Sequence, residues 1–296
     1  MFEQEDRIFN SLPKDLENPN FYAKPFLKWV GGKKQILPQI RQYIPKEYKR
    51  YFEPFIGGGA LFFTLRPKIA HINDINKKLI SAYRNIKNHP DKIIKCLENL
   101  QNEFYKKNDD DRKIFFYEIR NKFNDLEDDS TEKTSFLIFL NKTCFNGMYR
   151  ENSKGKFNVP FGRYKNPRIL DEKNIIAVSK LLQEVTITND PFEKSVEGAK
   201  SEDFIYFDPP YHPLSRTSNF TGYSNGGFTE KDQEKLGEVF KKLVGRGCYV
   251  LLSNSDTEFI RKIYKDYKIE VVSAARSINC KASGRGKINE LLIMNY

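Results

Sequence analysis

Cysteine and histidine are scarce in this sequence. The four cysteines, Cys96, Cys144, Cys248 and Cys280, lie far apart and form no C-x-x-C pair. That spacing argues against a zinc site and against a disulfide framework, and leaves reduced thiols in a cytoplasmic protein as the simple reading. The three histidines, His71, His89 and His212, have no metal-type spacing, so no metal is expected. No run of about 18 apolar residues occurs, and no membrane span is expected. The first residues, Met1-Phe2-Glu3-Gln4-Glu5-Asp6, are polar and acidic, unlike a signal peptide. There is no internal repeat, no G-K-[ST] and no G-x-G-x-x-G. Acidic residues are outnumbered, 39 against 50 Lys plus Arg, for a net charge of +11. Such a balance suits a polyanionic partner such as nucleic acid, although a solvated basic surface would carry the same charge.

What is present supports a folded core. Hydrophobic residues make up 39% of 296 positions and aromatics 14%. Residues 1–22 are polar and irregular and read as a poorly ordered leader. Tyr51 to Phe55 is a short apolar run, followed by Ile56-Gly57-Gly58-Gly59 and then Ala60 to Leu65: strand, glycine turn, helix. Ile69 to Ile72 reads as a second strand, with Asp74 at its tip. From about 76 to 144 apolar residues recur at helical spacing, and a loop-rich basic segment follows from Phe145 to about Arg168. Phe204 to Phe207 and Tyr249 to Leu252 read as strands. Thr229-x-x-Asp232 and Ser255-x-x-Glu258 read as helix caps, the first before the apolar face of Leu236, Val239, Phe240, Leu243 and Val244. Two final strands, about 268–274 and 289–294, flank a basic loop from Arg276 to Lys287. The expected fold is α/β, a doubly wound and mostly parallel sheet. Residues 23–76 and 169–296 would form the catalytic sheet domain, and 77–168 an inserted helical domain.

Four motifs carry chemistry. Glycines at a strand-to-helix turn let the backbone approach a ligand near free N–H groups. Asp74, fifteen residues after Gly59, can take the two hydroxyls of a ribose. Together they suit a single nucleoside better than a dinucleotide or triphosphate, though many such turns bind nothing. The second motif is Asp208-Pro209-Pro210-Tyr211, directly after a strand. The exocyclic amine of adenine is a poor nucleophile because its lone pair is conjugated with the ring. A carboxylate (Asp208) and a stiffly held carbonyl (Pro209) can bind its two N–H groups and free that lone pair to attack a methyl sulfonium. Pro210 stiffens the loop further, and Tyr211 offers a stacking face. A base within a duplex would have to be flipped out to reach it. Third, Trp29 and Lys33, separated by Val30, Gly31 and Gly32, set an aromatic face and a cation on one loop, as a carboxylate-bearing cofactor would need; a core Trp beside a solvated Lys is the plainer reading. Fourth, Phe145 to Arg150 and Phe157 to Lys165 are basic and aromatic. Arg150 and Arg163 can read guanine and Asn146 adenine, and Lys and Arg hold phosphates; a solvated basic loop has the same composition.

In this order, these pieces resemble the Dam family of DNA adenine-N6 methyltransferases, of the D12 class, which methylate adenine in GATC. The likeness covers nearly the whole chain after about residue 24. It rests on Phe26-Leu27-Lys28-Trp29-Val30-Gly31-Gly32-Lys33, Glu53-Pro54-Phe55-Ile56-Gly57-Gly58-Gly59, Asn73-Asp74-Ile75-Asn76 and Asp208-Pro209-Pro210-Tyr211, with the last continuing through Pro213-Leu214-Ser215-x-Thr217-x-Asn219-Phe220-Thr221. The resemblance implies S-adenosylmethionine as cofactor, bound by Trp29, Lys33, Phe55, Gly57, Gly59, Asp74, Asp190, Phe192 and Asp208. Pro191 loosens the match at Asp190 and Phe192. It implies double-stranded DNA as substrate, with Lys28 and Arg150 on guanine, Pro160 and Tyr164 near the other bases, and Asn146 and Arg163 in the same interface. Phe145 stands where the family has a wedging Tyr, and Met148 replaces a Leu. By the same resemblance 77–168 would be the target-recognition domain, and the enzyme would work on cytoplasmic DNA as a monomer or weak dimer. The rivals are the same chemistry on RNA adenine or cytosine N4, and a non-catalytic DNA-binding regulator. A Ser at position 208 would have leaned toward cytosine, and a regulator would show damage to the Asp-Pro-Pro-Tyr loop or the glycine turn.

Overall fold

A computed structural model describes residues 23–214, 227–275 and 287–296. The leader, the stretch Ser215 to Thr221, Cys280 and nearly all of the basic loop 276–287 lie outside the described residues. Seven strands form one sheet: β1 (Tyr51–Glu53), β2 (Ala70–Asn73), β3 (Val185–Thr188), β4 (Phe204–Phe207), β5 (Tyr249–Ser255), β6 (Lys268–Ala275) and β7 (Lys287–Met294). Their order is β3-β2-β1-β4-β5-β7-β6. The first five run parallel, and β7 lies antiparallel between β5 and β6. The sheet is therefore doubly wound and mostly parallel, as the sequence pattern implied. Strand β4 reads Phe-Ile-Tyr-Phe without a polar break because both of its faces are covered. Phe204 and Tyr206 face one apolar layer, and Ile205 and Phe207 the other.

The second of those layers is closed by two helices that follow β4 and β5. They are numbered in chain order with the others: α1 (Leu37–Ile40), α2 (Ala60–Leu65), α3 (Lys77–Asn88), α4 (Pro90–Lys106), α5 (Asp109–Asp125), α6 (Thr131–Thr143), α7 (Glu172–Leu182), α8 (Phe192–Ser195), α9 (Glu230–Gly245) and α10 (Glu258–Ile263). Helix α9 lays Leu236, Val239, Phe240 and Leu243 onto the sheet, and its capping box at Thr229 and Asp232 forms as expected. The start of α10 differs. Thr257, not Ser255, is its N-cap and accepts the Ile260 N–H. Ser255 is the last residue of β5, and its hydroxyl donates to the His212 carbonyl at 2.6 Å, so it has no freedom to cap.

Helices α3 to α6 occupy the interval read as helical. Side-chain caps at Asn76, Asn108 and Ser130 start three of them, and α4 begins on Pro90, where the missing N–H costs nothing. Helix α6 is buried on nearly every side. Helix α3 packs on α6 and also on β3 and α7, so the helical core runs on into one face of the sheet. Beyond α6 the basic segment is an irregular two-stranded ribbon. Phe145 N–H donates to Pro160 O at 2.9 Å, Asn158 N–H to Arg150 O at 3.1 Å, and Asn152 N–H to Lys156 O at 2.9 Å, closed by a turn over Asn152 to Gly155. Strand β3 had no counterpart in the sequence reading: Val-Thr-Ile-Thr is four residues long and half solvated. No helix among the described residues is long and apolar enough to cross a membrane.

Candidate active site

Strand β1 has β2 on one side and β4 on the other, and the chain turns to opposite sides of the sheet from there. In open α/β sheets such a switch point opens a crevice beyond the carboxyl ends of the strands, where ligands bind. The predicted residues gather there in strand order: Phe55 and Gly57 after β1, Asp74 after β2, Asp190 after β3 and Asp208 after β4.

The glycine turn is built from positive φ angles, +45° at Gly57 and +71° at Gly59, which side chains rarely tolerate. A Cβ at Gly57 would lie 3.0 Å from Trp29 Cδ1, and one at Gly59 would lie 2.8 Å from the Tyr83 hydroxyl. The glycines thus make room for the protein's own aromatics. Tyr83 also donates to Gly57 O at 3.0 Å. Asp74 closes the turn: its Oδ2 accepts the Gly57 N–H at 3.0 Å and its Oδ1 the Asn76 N–H at 2.9 Å. Burial pushes its carboxyl above the usual range, against those two bonds. Beside it, Asn73 uses all four of its hydrogen-bonding positions. It donates to Pro54 O and Asp190 O and accepts from Asp190 N–H and the Thr188 hydroxyl, tying the ends of β1, β2 and β3 together. Phe55 and Phe192 stack with centroids 5.4 Å apart, and Phe228 closes an apolar trio against both. Asp190 turns its side chain to Lys194 at 2.8 Å.

Asp208 sits at the end of β4 with two donors on one oxygen. Lys33 Nζ lies 2.8 Å from its Oδ1, and the Ser253 hydroxyl donates to the same atom at 2.7 Å. No hydrogen bond among the described residues reaches Oδ2. Lys33 opens a short 3-10 turn and is only 8% exposed; its ammonium also donates to Gly31 O at 3.0 Å and lies 4.4 Å from the Tyr211 ring centroid. Asp208, the Gly31 carbonyl and the Tyr211 face therefore surround the Lys33 ammonium. Around it the Asp-Pro-Pro-Tyr loop is pinned. Gln233 donates to Pro210 O at 2.9 Å, Asn254 donates to Gln233, and His212 N–H donates to Asn254 Oδ1. Tyr211 donates to Glu290 at 2.7 Å, and burial drives its phenol well above the usual range.

Sequence reasoning did not single out Ser253, Asn254, Gln233, Glu290 or Phe228. One sign of the first two was available: Ser-Asn-Ser directly continues the apolar run Tyr249 to Leu252, and all three are buried. Buried polar residues in a central strand need partners, and here the partners are the loop.

The predicted DNA-facing residues form a separate, exposed group. Phe145 is 51% exposed; Asn146, Arg150 and Pro160 on the same ribbon are exposed, as are Arg163 and Tyr164 just after it. Met148 is half-buried and packs against the core. Arg150 Nε donates to Asn158 Oδ1 at 2.7 Å. Lys28, far away in sequence, lies beside the ribbon with its side-chain stem against Gly147. Burial raises the Cys144 thiol to about 12 and the Cys248 thiol to about 11, so neither is a thiolate near neutral pH.

The family described as D12 class N6 adenine-specific DNA methyltransferase matches residues 29–278. Similar proteins include the type II methyltransferase M.MjaIII of Methanocaldococcus jannaschii, 48% identical over 93% of this chain and 99% of its own length. The type II methyltransferase M1.LlaDCHI of Lactococcus lactis subsp. cremoris is 43% identical over 95% of this chain and 98% of its own. A DNA adenine methylase of Escherichia coli is 35% identical over 92% and 95%.

Proposed function

The chain belongs to the D12 class of N6 adenine-specific DNA methyltransferases, and on that premise we propose that it takes its methyl group from S-adenosylmethionine and delivers it to a flipped adenine within GATC. The single observation that carries the mechanism is Asp208, held by Lys33 and Ser253 through one oxygen at the end of β4. Its other oxygen accepts one N–H of the target amine. The Pro209 carbonyl accepts the second, in a loop whose next carbonyl is tied down by Gln233. Both contacts draw the amine nitrogen toward a tetrahedral shape with its lone pair free. The Tyr211 ring, oriented by Glu290, lies along the base.

The donor set fits the cofactor. Asp74, at the tip of β2 and fixed by two backbone N–H groups, offers a carboxylate to ribose hydroxyls. Phe55 and Phe192, stacked on each other and packed against Phe228, offer an apolar wall to an adenine ring, with Asp190 beside them. Trp29 and Lys33 lie nearest the amino-acid end. When bound, the cofactor supplies an electrophilic methyl on a sulfonium. The protein's own work is to align the amine with it and exclude water, and such preorganised contacts are the largest source of rate in many enzymes.

The ribbon supports a duplex DNA substrate, with 77–168 as the target-recognition domain. Arg150 and Lys28 read guanine in the major groove, and Phe145 enters the gap that the flipped adenine leaves. GATC rests on the resemblance in this segment and on the relative named DNA adenine methylase. The two relatives named type II methyltransferases support a modification role paired with a restriction nuclease. DNA as substrate puts its work in the DNA-containing compartment. The decisive experiment is to methylate a genome with purified protein and tritiated cofactor and map the modified adenines. Modification confined to GATC is expected; methylation at other sequences overturns the assignment.

A further inference from the structure

Two asparagines hold the segment before Trp29 by the same device. On α7, Asn174 accepts the Lys24 N–H at 2.9 Å and donates to Lys24 O at 3.1 Å. On α6, Asn141 accepts the Lys28 N–H at 2.8 Å and donates to Lys28 O at 2.9 Å. Each carboxamide pairs with both polar atoms of one residue, as a neighbouring strand would. The pairing also fixes which side-chain atom is nitrogen, since a flipped amide would set oxygen against oxygen.

The two clamps differ in one bond. Asn141 donates its second N–H to Gly147 O at 3.0 Å, so one side chain, 2% exposed, bridges the Lys28 backbone to the 3-10 turn Phe145–Gly147 at the start of the basic ribbon. The approach is close: a Cβ at Gly147 would lie 2.5 Å from Lys28 Cδ. One residue further on, Trp29 stacks on Tyr149 of the ribbon at 4.7 Å while its edge lies against Gly57 of the cofactor turn. Asn141 therefore stands where the segment leading to Lys33 meets the ribbon carrying Arg150.

We infer that Asn141 is a specificity-positioning residue: its carboxamide sets Lys28 and the Phe145–Arg150 ribbon in register, so that both bind one recognition sequence at once. It touches neither substrate nor cofactor. The inference rests on the reading of Lys28 and Arg150 as base contacts. With the bridge gone, Lys28 and the ribbon keep their side chains but lose their fixed spacing. Contacts to the correct bases then weaken more than contacts to the backbone, because bidentate base contacts demand geometry that a point charge on a phosphate does not.

The test compares kcat/KM on a target duplex with that on duplexes carrying one altered base pair. Asn141→Ser and Asn141→Asp are measured beside Asn174→Ser, with Arg150→Ala as the check on the reading. Asn141→Asp keeps the size and the acceptor and removes both donors, so the result does not depend on one variant folding. The expected result is a fall of about tenfold or more in the target-to-altered ratio for the Asn141 variants. Asn174→Ser, which breaks the matching clamp, should keep the ratio within about twofold at a comparable loss of Tm. If the Asn141 variants lose Tm but keep the ratio while Arg150→Ala relaxes it, the positioning role is overturned and the reading of Arg150 stands. If Arg150→Ala also leaves the ratio unchanged, the reading falls and the inference with it.

Discussion

At Asp208, Ser253 Oγ and Lys33 Nζ converge on one carboxylate oxygen. Asp208→Ala should lower methyl transfer by at least about a hundredfold, the scale of losing a preorganised polar group, while cofactor binding survives in part. Tritium incorporation and a cofactor titration read the two effects separately, and near-normal turnover would refute the role. Glu53 makes a different prediction. Its carboxyl is 3% exposed, and burial holds it well above the usual range despite a 2.7 Å bond from the Tyr51 hydroxyl. A folded pKa above the unfolded one means that the folded state binds more protons. The contribution is therefore fully present below about pH 4.5 and is lost as pH rises toward the folded value. Glu53→Gln lacks this titration, so its Tm relative to the parent should climb between about pH 5 and pH 8. A difference that stays flat across that range would show that Glu53 stays ionised. At this scale, Asp74, Asp208, Trp29 and Lys33 were legible because their spacing fits a chemistry. Ser253 and Gln233 were not, because their role exists only once β5 and α9 lie beside the loop.

Among the elements, α9 shows a cap read correctly from four residues. The Thr229 hydroxyl accepts the Asp232 N–H at 3.3 Å, and Asp232 Oδ2 accepts the Thr229 N–H at 2.8 Å. Thr229→Ala should cost about 1 kcal/mol. Denaturant titration should show a lower midpoint at an unchanged slope, and an unshifted midpoint would mean that the exposed helix start contributes little. The same pattern misled at Ser255, since S-x-x-E describes a cap only where the first residue has left its strand. The ribbon from Thr143 to Gly162 escaped detection for a related reason. Its few cross-strand bonds need no alternation of side chains, so composition alone reads it as loop.

For the molecule as a whole, the surplus of basic charge and the exposed ribbon belong together. A net charge of +11 makes DNA affinity depend on counterion release. Raising salt from about 50 to 200 mM should weaken binding to a duplex lacking the target by more than about a hundredfold. A fluorescence titration at several salt concentrations measures the slope; a slope near zero would mean that the basic residues only solvate the surface. The fold class was readable at this scale because parallel strands buried on both faces must be continuous apolar runs. The bounds 77–168 come from the change to helical spacing alone; in the fold α3 packs on α6 and also on β3 and α7.

By itself, the sequence determined the strand-turn-helix elements, the acids at the strand ends and the kind of chemistry they can do. Those depend on local backbone geometry and on residue type, both written within a few neighbouring positions. Tertiary structure alone decided that Lys33 and Ser253 share one oxygen of Asp208, that Trp29 fills the space beside Gly57, and that Asn141 joins Lys28 to Gly147. Asn141 and Lys28 are 113 residues apart, and no local propensity spans that distance. Such contacts are set only when burial brings distant segments together and every buried polar group must find a partner.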